Sequence, residues 1–132
     1  MDIPTNETVY KIVAIDSKHV YMACGGGILL EGSVNQWRII KYPDNGENFT
    51  QMVLFKKTIY LSTQYNMYKL VDGKLEECMP AKKNSEIEMF CHHYLSANED
   101  IMLMCGQQSV AIFDGEFWLP FAPNGPIDAD YR

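Results

Sequence analysis

Few residues of this chain combine the types and spacing that do chemistry. Cys91-His92-His93 is the densest set of metal-ligating side chains. It lies in an extended run, 90–95, where neighbouring residues point to opposite faces, so His92 and His93 do not share one ion. No second Cys/His pair stands at zinc-site spacing. Gly25-Gly26-Gly27 lacks the Gly-Lys-Ser/Thr ending of a phosphate loop and opens no helix, so it reads as a turn. A Gly-x-Ser-x-Gly elbow does not occur. Glu76 and Glu77 are adjacent on a strand-like run and point apart, while Glu86 and Glu88 fall in a solvated loop. Trp37 and Trp118 could stack on a sugar, which would make the protein a lectin. At similar places in a repeated pattern they read first as packing aromatics. The expectation is a non-enzyme with no catalytic residue, no metal site and no cofactor.

Composition narrows the partner. The chain has 132 residues, 47% hydrophobic and 21% charged, which excludes a disordered chain and fits one domain over 1–132. Eleven Lys and Arg stand against 17 Asp and Glu, for a net charge of −6. Such a chain matches neither nucleic acid nor an anionic membrane and suits a basic protein. Residues 1–8 show neither the basic nor the apolar region of a secretory signal, and no apolar run is long enough to cross a bilayer. Cys24, Cys78, Cys91 and Cys105 are dispersed and read as thiols in a reducing compartment. The expected location is cytoplasmic.

The positioning elements follow from an internal repeat. Ile59-Tyr60-Leu61 pairs with Ile101-Met102-Leu103, Asp72-Gly73 with Asp114-Gly115, and Leu75 with Phe117; Val20-Tyr21-Met22 starts an upstream copy. The copies recur roughly 40 residues apart, at about 9–42, 49–79 and 89–121, with a tail at 122–132. Each splits into four short runs rich in Val, Ile, Tyr, Phe and Met. These are 9–15, 19–24, 27–31 and 36–42; 51–55, 58–63, 67–71 and 74–79; and 90–95, 100–105, 109–113 and 116–121. Asp-Gly between two such runs is a strong hairpin signal, because a type I′ turn needs positive φ. No long segment has a helical period.

Four antiparallel strands at this period resemble a blade of the β-propeller superfamily. The Trp-Asp signature of WD repeats is absent, since Arg38 follows Trp37 and Leu119 follows Trp118. The resemblance implies an all-β chain of three four-stranded blades, a half ring or an open array. Propellers usually have four to eight blades, and three should leave two strand edges and an unclosed core face. Two chains could pair head to tail into a homodimeric six-bladed ring, the sheets could collapse into another compact fold, or a partner could cover the open face. The longer loops fall on one face, where repeat proteins commonly bind. That face collects Asp44, Glu47, Glu86 and Glu88 with Tyr65, Asn66, Gln107 and Gln108, and also Asp128 and Asp130. It forms an acidic, amide-rich rim in which Tyr65 is the aromatic anchor of a basic partner.

A small acidic protein without catalytic residues is similar in general character to the immunity proteins of bacterial toxin systems. That similarity implies a cognate toxin as the partner and occlusion of its active site as the mechanism. A homo-oligomeric scaffold and a carbohydrate-binding propeller are the alternatives.

Overall fold

The computed structural model describes residues 5–33, 36–41, 47–64, 66–78, 94–105 and 110–121, with 119–121 as backbone only. Its strands form three four-stranded antiparallel sheets. Blade 1 holds β1 (Val9–Asp16), β2 (His19–Cys24), β3 (Ile28–Gly32) and β4 (Trp37–Lys41). Blade 2 holds β5 (Gln51–Phe55), β6 (Thr58–Ser62), β7 (Met67–Val71) and β8 (Lys74–Glu77). Blade 3 holds β9 (Tyr94–Ala97), β10 (Met102–Cys105), β11 (Val110–Phe113) and β12 (Trp118–Phe121). Each sheet runs in chain order, because short turns let every strand pair with its sequence neighbour. The first strands meet in succession, β1 against β5 and β5 against β9, with a slighter contact between the outer strands β4 and β8. The array is an open set of blades. Among the described residues no helix is long and apolar enough to cross a membrane.

Turn chemistry explains the hairpins. Asp72 and Gly73 take φ of 50° and 78° between the paired residues Val71 and Lys74, as a type I′ turn requires. Lys56 and Lys57 do the same without glycine, at 47° and 68°. The second Asp-Gly differs from its sequence match. Asp114 Oδ1 accepts the backbone N–H groups of Glu116 and Phe117, both at 2.8 Å, and Gly115 (φ 108°) takes the first central position, where a type II′ turn places glycine.

That difference corrects the alignment of the copies. The row Met52–Leu61–Tyr68–Glu77 in blade 2 is met in blade 3 by Leu95–Met104–Ala111–Pro120. The structural mate of Leu61 is therefore Met104 rather than Leu103, and that of Leu75 is Trp118 rather than the exposed Phe117. Matching Asp-Gly to Asp-Gly slips blade 3 by one residue, and one residue exchanges the two faces of a sheet. The upstream copy needs no such correction, since Tyr21 and Tyr60 hold the same place.

Register then sorts the core. Val13, Tyr21, Leu29 and Ile40 of blade 1 pack with Met52, Leu61, Tyr68 and Leu75 of blade 2. The opposite face of blade 2 sends Val53, Phe55 and Tyr60 against Met102, Met104 and Phe113 of blade 3. Aromatic rings lock both seams. Phe49 meets Tyr68 edge-on at 5.6 Å in the first, and Phe113 of blade 3 lies 5.9 Å from Phe55 and 6.2 Å from Tyr60 of blade 2 in the second.

Candidate functional site

The long-loop end of the array is held together by one connection. Leaving blade 1, the chain passes through Glu47 and Asn48 before β5. Asn48 Oδ1 accepts the N–H of Gly26 at 3.0 Å, and the N–H of Phe49 donates to Cys24 O at 3.0 Å, so the connection is tied to the Gly25–Gly27 turn of blade 1. Glu47 reaches the other way. Its Oε1 accepts the Thr63 hydroxyl at 2.8 Å and the Asn66 side-chain amide at 3.1 Å, both from the β6–β7 turn of blade 2. Thr63 Oγ1 in turn accepts the Asn66 backbone N–H at 3.0 Å. Thr63 is fully buried, so these bonds satisfy a hydroxyl that water does not reach. A charged acceptor strengthens them. The result is a rigid rim spanning blades 1 and 2.

Of the residues assigned to the rim from sequence, the structure brings Glu47 and Asn66 into direct contact. Asp44, Tyr65, Glu86, Glu88, Gln107 and Gln108 lie outside the described residues, as do Asp128, Asp130 and the Cys91-His92-His93 run. Asn48 and Thr63 are the partners that sequence reasoning missed. A run of polar loop residues does not reveal a bond between Asn48 and a glycine turn 22 residues earlier. Glu76 faces Lys69 and Glu77 faces Tyr68, so the two adjacent carboxylates occupy opposite sides of the sheet. Cys24 is buried, and burial together with the nearby Glu7 charge pushes its thiol up, which suits an unreactive core position.

The opposite end carries clefts of different charge. An open cleft of about 800 Å³ on blade 1 is lined by Lys18, His19, Glu31, Trp37 and Arg38 among others. Two pairs shape it. His19 Nδ1 stands 2.8 Å from Asp16, and this contact holds the Asp16 carboxyl below its ordinary range, assisted by the Lys18 N–H. Arg38 donates to Glu31 at 2.7 Å. Burial pushes the Tyr21 phenol up, and its hydrogen bond with Glu31 adds to that. A second groove, of about 490 Å³, runs between β4 and the β7–β8 turn and is lined by Arg38, Lys41 and Lys74 with Ile39 and Leu75. A Cβ at Gly73 would stand 3.1 Å from the Arg38 guanidinium at φ 78°, so glycine serves both the turn and the close approach. Within an acidic chain, this groove brings three cations, Arg38, Lys41 and Lys74, to one place. Neither cleft pairs a nucleophile with a base.

The chain is 32% identical to the immune protein Tsi7 of Pseudomonas aeruginosa over 116 residues, covering 87% of this chain and 36% of that protein. It thus spans about a third of the length of the curated relative that it matches. No family model matches the chain. Among solved structures, YCF48 bound to a D1 peptide superimposes with a TM-score of 0.67 at 13% identity, covering 91% of this chain and 41% of the other, a likeness of fold.

Proposed function

We propose that this chain acts as an immunity protein, binding a toxic protein and neutralising it by covering its active site. The similarity to Tsi7 along 87% of the chain carries this reading. Net charge supports it, because an acidic protein is steered toward a basic partner and buries charge against charge. The contact surface is the long-loop rim: Asp44, Glu86 and Glu88 supply charge, Tyr65 an apolar anchor, and Gln107 and Gln108 polar contacts. Glu47 and Asn66, tied to each other, hold that rim in shape rather than contributing free charge. Rigid support lowers the ordering cost of binding. In this reading the chain needs no cofactor and turns over no substrate, and its dispersed thiols suit the cytoplasm.

The test is native mass spectrometry of the tagged chain purified from its own host. The expected species is a complex with a basic protein that kills cells when expressed alone. Changing Asp44, Glu86 and Glu88 together to Ala should weaken that complex about tenfold or more, mainly by slowing association. A complex unchanged by the triple substitution contradicts the assigned surface, and the absence of any toxic partner contradicts the immunity reading.

A further inference from the structure

The groove between β4 and the β7–β8 turn is lined by four consecutive residues of one strand, 38–41, together with 73–75. Neighbouring residues of a strand point to opposite faces, and pairing assigns them here. Arg38 and Ile40 lie on the front face of blade 1, with Ile40 in the seam against blade 2. Ile39 and Lys41 lie on the back face, where Ile39 ends the row Ile12–Met22–Leu30–Ile39. Side chains of both faces meet in one groove only along the edge of their strand. β4 is the last strand of its sheet, so the floor of the groove is its outer main chain.

Hydrogen bonding fixes which main-chain groups face that groove. The Ser33 N–H donates to Gln36 O at 2.9 Å, and the pairing continues without a shift from Gly32↔Trp37 to Ile28↔Lys41. Bonded and non-bonded positions alternate along an antiparallel pair. Arg38 and Ile40 thus turn their N–H and C=O groups toward β3, while Ile39 and Lys41 turn theirs outward. Ile39 is 46% exposed, so solvent reaches this edge. Outward main-chain groups on a strand edge are a template for a further strand. Charge decides which strand. Among the described residues, three cations and no carboxylate line the groove. Glu31 Oε1 accepts from both Nε and Nη2 of Arg38, which offsets part of that charge. Lys41 and Lys74 form no ion pair among the described residues. Positive side chains on an edge keep like-charged edges apart, and the same charges admit a strand of opposite sign. Ile39 and Leu75 between the cations offer apolar contact that a free phosphate does not use.

We propose that this groove takes an extended acidic segment of a partner protein, which adds to blade 1 as a fifth strand. Its main chain pairs with Ile39 and Lys41. Its carboxylates lie against Lys41, Lys74 and Arg38, and its apolar side chains against Ile39 and Leu75. Main-chain pairing supplies affinity, and the cations supply the preference for acidic side chains. The groove lies at the opposite end from the long-loop rim, so its test needs no toxin.

The probe is a short fluorescein-labelled peptide alternating Val and Glu, titrated with the full 132-residue chain and read by fluorescence anisotropy. It should bind at low salt and weaken as salt rises. Lys41→Glu combined with Lys74→Glu should weaken binding about tenfold or more, with an unchanged β spectrum by circular dichroism. Two further peptides carry N-methyl groups on every Val amide or on every Glu amide. Only one of these sets faces β4 in a paired strand, so one peptide should lose about tenfold in affinity and the other should keep most of it. No binding by the unaltered chain overturns the proposal, as does equal binding of a peptide alternating Val and Lys. Equal affinity of the two methylated peptides would mean attraction without strand addition and also overturns it. A single-stranded oligonucleotide that binds more tightly than the peptide, and loses that binding in the same double variant, would make the ligand a phosphate chain instead.

Discussion

The seam between blades 1 and 2 and the back face of blade 1 use the same register positions with different outcomes. In the seam, Leu61 and Tyr68 are buried beneath the opposing blade, and Met52 beside them is covered too. On the back face, the corresponding Met22 and Leu30 are buried in a small cluster with Trp37, while Ile12 at the edge of the row is exposed. The pattern of a blade decides which residues share a face; the neighbour decides whether that face is core.

The largest effect should come from the seam. Leu61→Ala should cost about 2–5 kcal/mol of unfolding free energy, as removal of a fully buried leucine does. Ile12→Ala, at an exposed position on the edge of its row, should cost about 0.5 kcal/mol or less. Chemical denaturation of both variants measures the contrast, and equal costs would erase the distinction between the seam and the exposed edge of the back row.

A middle-sized effect belongs to the rim. Glu47→Ala removes the acceptor of the buried Thr63 hydroxyl and the Asn66 amide, and should cost about 1–2 kcal/mol. Glu47→Gln keeps an oxygen in place and should recover most of that loss. If Gln is as damaging as Ala, the role of Glu47 lies in its charge rather than in the bonds to blade 2.

The smallest effect is a pH dependence at the turns. The backbone N–H groups of Phe117 and then Glu116 hold the Asp114 carboxyl below its ordinary value, and His19 does so for Asp16. Both groups titrate lower in the folded chain than in the unfolded one. Their contribution is therefore complete above the unfolded value, near pH 4, and is lost as pH falls through the folded value. Asp114→Asn retains the accepting oxygen without the charge. Its melting temperature should fall less between pH 5 and pH 3 than that of the unaltered chain, and a steeper fall in the variant would reverse the assignment.

Much of the fold was legible from residue pattern alone. Short Val-, Ile- and Tyr-rich runs separated by Asp-Gly, Lys-Lys and glycine turns place each described strand to within a few residues, because hairpins depend on local chemistry. Facing was harder to read. Asp114-Gly115 matches Asp72-Gly73 as a motif but occupies its turn one residue earlier, and only strand pairing shows this. The site was legible in part. Loop-face logic brought Glu47 and Asn66 to one rim, where they touch. It could not show that Glu47 is engaged internally, nor that Arg38, Lys41 and Lys74 line a basic groove, because those cations meet only after two blades pack.

The proposed function is neutralisation of a toxin through the long-loop rim. Its most direct test is the survival of cells that express the captured basic partner together with either the unaltered chain or the Asp44, Glu86 and Glu88 triple variant. Survival with the unaltered chain, and death with an equally abundant and folded variant, is the predicted result. Death in both cases would contradict the immunity function, and survival in both would move the contact away from the rim.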